Sequence, residues 1–201
     1  MNYLAHIYLS KDDDLLKIGN FAADSIKGKS FLKYPERMRT GITLHRAIDT
    51  YTDSHPIVRE SVSRLFPKYS HYSTVIVDIL YDHYLAKNWN DFHPQPLSEY
   101  VNEFYTLLEN QYSILPKRVQ SFLPVMTEHN WLLSYATIDG IGKILYQMNI
   151  RTKRRSDMHL AVYDLQKFYS EFEKEFRTFF EDLETYVEDL LPTLLSHENL
   201  H

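Results

Sequence analysis

The stretch YSTVIVDILYDHYLAK, residues 72 to 87, decides the fold class. It is the most apolar segment of the chain and has the length of a helix rather than a strand, so the spacing predicts a helix buried nearly all round. Working outward, LLKIGNFAADSIK at 15 to 27 carries apolar residues at helical spacing and runs into Gly28, a natural stop past a helix C-terminus. Pro35 opens a stripe of Met38, Ile42, Leu44 and Ile48 that reaches about His55, where Pro56 ends it. A short helix is expected over 57 to 66, ended near Pro67, and three amphipathic helices over 97 to 112, 117 to 134 and 135 to 149, after a loop between Trp89 and Pro96. From Leu160 to Leu191 apolar residues recur at three and four, giving a long C-terminal amphipathic helix or a broken pair whose stripe suits the core or a homodimer interface. With no strand-like alternation and no repeat, the reading is an all-α, single-domain helical bundle over residues 1 to 201.

Composition narrows the function classes. Hydrophobic residues make up 44% and charged residues 24% of the 201, which excludes a disordered tail, a collagen-like repeat and a membrane-embedded chain. Sixteen Tyr and 11 Phe against 5 Gly mean a core of large rings with few flexible joints. The absence of cysteine removes disulfides, thiolate zinc sites, iron-sulfur clusters and Cys nucleophiles, and fits a reducing compartment, the cytoplasm by default. The N-terminal residues lack the marks of a signal peptide, and no run is apolar enough to span a membrane. A net charge of -5 opposes general nucleic-acid binding, while leaving room for a local basic patch.

Polar residues in apolar segments carry the chemistry. Asp78 and Asp82 lie four apart, so a helix brings both carboxylates to one face, where burial demands compensation. His45, Asp49 and Asp53 repeat the spacing and drift only about 80° around a helix. Asn20 with Asp24, Asn2 with His6, and His197 with His201 at the polar terminus show the same offset. Carboxylate and imidazole without thiolate suit a hard or borderline divalent ion, manganese, magnesium, iron or zinc. The bland alternatives are a hydrogen-bonded core His6, buried acids held by Arg46, Arg64 or Lys27 in an ion-pair network, and a basic run RTKRR at 151 to 155 that is only a solvated loop.

NYLAH at 2 to 6, GNFAADSIKG at 19 to 28, GITLHRAIDTYTDSHP at 41 to 56 and DILYDHYLAKNW at 78 to 89, in that order, resemble the bacterial acyl carrier protein phosphodiesterase family. Beyond residue 90 the likeness is one of helix pattern and of the basic turn near Arg154 and Arg155. The resemblance implies a helical fold related to the HD-type metal phosphohydrolases, a manganese-dependent site, and removal of 4'-phosphopantetheine from the serine of holo-acyl carrier protein. It places metal ligands among Asp24, His45, Asp49, Asp78 and Asp82, with His83 beside them. The chain has no adjacent His-Asp dipeptide, only the reversed Asp82-His83, so ligands cannot be copied from ordinary HD enzymes. Lys27 or Arg46 would neutralise developing charge, and His83 or His6 would protonate the leaving alkoxide. A small acidic carrier would dock on a basic surface, either Lys27, Lys29, Lys33, Arg37 and Arg39 or Arg151, Lys153, Arg154 and Arg155. Two competitors stand beside this expectation: a relative acting on another phosphoester, and a non-enzymatic helical interaction protein.

Overall fold

In the computed structural model, which describes residues 1–196, the described residues form helices joined by turns and short 3₁₀ segments. In chain order the α-helices are α1 (Tyr3–Leu9), α2 (Asp14–Ala22), α3 (Glu36–Ser54), α4 (Pro56–Tyr69), α5 (Ser73–Lys87), α6 (Leu97–Asn110), α7 (Lys117–Glu128), α8 (Trp131–Ser134), α9 (Ile138–Arg151), α10 (Ala161–Lys167) and α11 (Tyr169–Ser196). The all-α reading holds. The pair His197 and His201 lies outside the described residues.

α5 is the central helix. Ile76, Val77, Ile79, Leu80, Tyr81, Tyr84 and Leu85 are all fully buried along it, as the sequence predicts. α11 lays a row of phenylalanines, Phe172, Phe176, Phe179 and Phe180, into the same core, and Phe176 meets the rings of Tyr81 and Tyr84. Such ring-on-ring contacts add large apolar areas to a core otherwise filled by leucine, isoleucine and valine.

The pair that builds the site is α2 against α3. A Cβ added to Gly19 would lie 2.1 Å from the carbonyl oxygen of Met38, and one added to Gly41 would lie 2.3 Å from that of Leu16. Each helix therefore offers a glycine where the other's backbone passes, and the two approach closer than side chains permit. Asp13 caps α2 by accepting the Leu16 N–H at 2.9 Å, which fixes where this helix begins.

Several boundaries differ from the expectation, each for a local reason. α2 stops at Ala22 rather than 27, because Ala23–Ser25 tightens into a 3₁₀ turn; Gly28 does adopt positive φ, 56°, but as the start of a second 3₁₀ segment. α4 passes through Pro67 to Tyr69, since a proline in the last turn costs a single backbone bond. The segment 117 to 134 divides at Asn130, whose left-handed φ of 46° separates α7 from α8. The C-terminal segment is the broken pair, interrupted at Phe168 between α10 and α11. α1, a helix too short for periodicity to detect, was not anticipated.

Candidate metal centre

α1, α2 and α3 meet at their polar residues. His6 comes from α1, Asn20 from α2, and His45 and Asp49 from successive turns of α3. The two imidazoles are stacked with centroids 4.0 Å apart and planes 22° from parallel. The Asp49 carboxylate spans them, Oδ1 3.3 Å from His6 Nε2 and Oδ2 3.1 Å from His45 Nε2. Asp24, on the 3₁₀ turn after α2, adds Oδ1 at 3.2 Å from His45 Nε2. His6, His45 and Asp49 are a set whose ligand-capable atoms all fall within 4.8 Å of one another.

Asn20 fixes the imidazoles. His6 Nδ1 donates to Asn20 Oδ1, and His45 Nδ1 donates to the Asn20 carbonyl oxygen, both at 2.8 Å. Asn20 Nδ2 in turn donates to the His6 carbonyl oxygen at 2.8 Å and to Ser10 Oγ at 3.0 Å. With its proton committed at Nδ1, each neutral imidazole presents a lone pair at Nε2, the orientation that metal-binding histidines take from a hydrogen-bonding partner behind them. Both lone pairs aim at carboxylate oxygens, acceptor against acceptor, and the buried His6 Nε2 has no hydrogen-bond partner. Positive charge between them resolves the conflict.

Without a metal, a proton supplies that charge. Burial lowers the His45 pKa, but hydrogen bonds to Asp24 and Asp49 overcome it and raise the group to about 9. Burial and the neighbouring His45 hold His6 down at about 4, so one imidazole of the stack is charged and the other neutral. The Asp49 carboxyl, although burial raises it, is brought well below its usual range by the adjoining His45 and His6 imidazoles; that of Asp24 is lowered chiefly by its bond to His45. The imidazoles are buried, while the Asp24 and Asp49 side chains are 67% and 42% exposed, which leaves a carboxylate-rimmed opening over an imidazole floor. Two Nε2 atoms and two carboxylates fit a divalent cation of the hard-to-borderline class.

The other expected ligands are elsewhere. Asp82, fully buried, accepts the N–H groups of Leu4 at 2.7 Å, Asn2 at 3.2 Å and Ala5 at 3.4 Å, so it caps the start of α1. Asp78 accepts from the Met1 ammonium at 2.9 Å. These acids are compensated by backbone donors and an amine, and not by Arg46, Arg64 or Lys27; Arg64 instead pairs with Glu175 at 2.5 Å. Burial raises both carboxyls, that of Asp82 to about 7.

His83 is likewise committed. Its Nδ1 donates to the Tyr135 carbonyl at 2.7 Å and its Nε2 accepts from the Tyr169 hydroxyl at 2.8 Å, away from the imidazole stack. Lys27 and Arg46 are exposed on the segment and helix that carry Asp24 and His45; Arg46 donates to the Gly28 carbonyl at 3.3 Å and covers the Phe31 ring. Arg151 closes α9, and Lys153, Arg154 and Arg155 are exposed in the turn after it. Lys153 and Arg154 take left-handed φ of 57° and 58°, and the Arg154 N–H returns to the Asn149 carbonyl at 2.8 Å. Asn20 is the site residue sequence reasoning underused: its offset from Asp24 is visible, but its grip on two imidazoles is not. No helix among the described residues is long and apolar enough to cross a membrane.

A family model described as acyl carrier protein phosphodiesterase matches residues 1–183. Among curated relatives, the acyl carrier protein phosphodiesterase of Pectobacterium atrosepticum is 29% identical over 181 residues, covering 90% of this chain and 94% of the relative. That of Photorhabdus laumondii is 29% identical, covering 90% and 91%. That of Yersinia enterocolitica is 26% identical over 190 residues, covering 94% and 98%. No solved structure matches the chain.

Proposed function

The chain belongs to the acyl carrier protein phosphodiesterase family, and on that premise we propose that it is a metal-dependent phosphodiester hydrolase that removes 4'-phosphopantetheine from the serine of holo-acyl carrier protein. The observation that carries the metal dependence is the His6–Asp49–His45 arrangement, in which lone pairs and carboxylate oxygens converge with Asp24 at the rim. His6 Nε2, His45 Nε2 and Asp49 would hold the ion, with Asp24 completing the set. Manganese is the favoured ion, by the donor set and by the family resemblance. A divalent cation there would supply Lewis-acid polarisation of a phosphoryl oxygen and activation of water.

The chain's own residues do the remainder. Asn20 holds both imidazoles by Nδ1 with Nε2 turned to the site, so that a metal takes the place of the proton on His45 without either ring turning. Asp24, the most exposed carboxylate of the set, would close the ligand set at the solvent rim. Lys27 and Arg46, exposed on the same segments, offset charge on the phosphate as it develops. His83 is not the general acid of this reading's site, because both of its nitrogens are engaged by Tyr135 and Tyr169. Arg151, Lys153, Arg154 and Arg155 form an exposed basic edge suited to an acidic carrier in a chain of net charge -5. The reaction belongs in the cytoplasm, with the HD-like architecture as its structural background.

Mass spectrometry of holo-carrier protein incubated with the chain and manganese tests the reading. Loss of the phosphopantetheine mass, abolished by chelation and restored by manganese, is the expected result. Undiminished turnover after exhaustive chelation would overturn the metal dependence, and an unchanged carrier would overturn the substrate.

A further inference from the structure

Just past Asp24 begins the 3₁₀ segment Gly28–Lys33, none of whose residues is buried. It is tied to α3 through Arg46, the residue after His45, which donates to the Gly28 carbonyl at 3.3 Å and covers the Phe31 ring with its guanidinium carbon 5.0 Å from the centroid. The segment is therefore held beside the metal-site rim in two ways, by chain continuity with Asp24 and by contact with the helix that carries His45. Lys27, Lys29 and Lys33 are exposed, and no acidic residue occurs between Asp24 and Glu36. Leu32 stands among these lysines 55% exposed, whereas the other leucines of the described residues are buried or half-buried. A single exposed leucine is ordinary. One set in a cationic frame beside the opening of a reactive site has the make-up of an interface centre, an apolar contact inside a polar rim.

We propose that Leu32, framed by Lys29 and Lys33, is the contact that seats the carrier protein's own surface around its modified serine. This rests on the function proposed above. Only the Cα–Cβ, Cβ–Oγ and Oγ–P bonds separate the carrier backbone from the phosphorus, so a carrier whose phosphate reaches His6, His45 and Asp49 lays its serine-bearing face against whatever borders that opening. An acidic face meets Lys29 and Lys33 by charge, in a chain that carries -5 overall, and covers Leu32 by apolar contact, which salt does not screen. Lys27 and Arg46 remain for the phosphate itself. The turn with Arg154 and Arg155 lies outside the metal cluster and attracts the carrier from farther off, the smaller share of the docking.

Kinetics on holo-carrier protein and calorimetry with apo-carrier protein, both using the full-length, manganese-loaded protein, test the seat. Leu32→Ser, and Lys29→Glu combined with Lys33→Glu, should each raise the Michaelis constant and weaken apo-carrier binding about tenfold, with the saturated rate and manganese affinity unchanged. The weakening that added salt causes in the parent should persist in Leu32→Ser and shrink in the charge-reversed variant. All three positions are exposed, so melting temperatures should match the parent's. Parent-like Michaelis constants and apo-carrier affinities in both variants would overturn the proposal while leaving the hydrolase reading intact, as would a fall in the saturated rate alone, which would put the segment in the chemistry. Variants that lose only binding to anionic phospholipid vesicles would assign the patch to a lipid surface and overturn it too. A parent that binds apo-carrier through these residues yet never cleaves holo-carrier would keep the seat and overturn the hydrolase; one that neither binds nor cleaves would remove both.

Discussion

His45 and Asp49 on α3, and Asp78 and Asp82 on α5, are polar pairs at the same four-residue spacing inside helices that bury apolar neighbours. The pairs meet opposite surroundings. Across from α3 stand His6 and Asp24, more lone pairs and carboxylate oxygens, so the charge balance is left open for a cation or a proton. Across from α5 stand the first N–H groups of α1 and the Met1 ammonium, donors that close the balance within the protein. Spacing on one helix says which residues share a face. Whether that face binds a ligand depends on whether its neighbours are acceptors or donors.

Exchanging the roles of the two regions by mutation should therefore fail, and the largest effect belongs to the open one. Asp49→Ala removes the carboxylate that spans both imidazoles and should lower turnover about a thousandfold, several kcal/mol of transition-state stabilisation. Its melting temperature in chelator should move little, under about 1 kcal/mol, because solvent screens a carboxylate so exposed. Phosphopantetheine release and thermal unfolding measured together would show this, and retained turnover would take Asp49 out of the site.

Asp82→Ala should do the reverse. It strands three N–H groups at the start of α1, at about 1 kcal/mol or more each, so stability should fall by at least about 3 kcal/mol with or without manganese. A variant as stable as the parent in chelator that has lost only metal affinity would return Asp82 to the ligand set.

A smaller effect is a pH dependence of the closed region. The Asp82 carboxyl, near 3.9 in the unfolded chain, is raised by burial to about 7 in the folded one. A group raised on folding contributes stability that is complete below about pH 4 and is lost as pH rises through about 7, at most about 1.4 kcal/mol per pH unit. Denaturant midpoints of metal-free parent and Asp82→Asn between pH 4 and 8 should diverge with that slope, the parent losing ground as pH rises. Parallel curves would mean that Asp82 does not titrate in this window.

The least effect is expected at the basic turn. Reversing charge at Arg154 and Arg155 should raise the apparent Michaelis constant for the carrier a few-fold and leave the saturated rate alone, since both are exposed and outside the metal cluster. Unchanged kinetics would make RTKRR only a helix-ending turn.

The elements legible in the sequence were those with punctuation. Pro35 and Pro56 bracket α3, and the apolar density of 72 to 87 marks α5 within a residue of its start. α1 escaped because seven residues, apolar on nearly every side, carry no period. The α7–α8 break depends on one left-handed asparagine that looks unremarkable as a letter. In the candidate site, spacing and motif both point to Asp24, His45 and Asp49, which the fold brings together. His6 was readable only as a candidate, since its partner lies 39 positions away and its tautomer is set by a third helix. Asp78 and Asp82 share a face and need compensation, which the sequence shows, but that it comes from an amine and backbone N–H groups rather than a metal does not, because a backbone N–H has no letter of its own.

The glycines at the α2–α3 crossing give a use for this last point. Gly19 and Gly41 offer no ligand atom to the cluster, yet any side chain at either must push a backbone oxygen from 2.1 or 2.3 Å out to ordinary contact, shifting the turn that carries Asp24 relative to the helix that carries Asp49. Position 19 and position 41 thus act as a hidden gauge of the spacing between site residues. When distant chains are screened for this chemistry, one that keeps every histidine and aspartate but carries alanine at either crossing point should be sorted with the proteins that have lost the site.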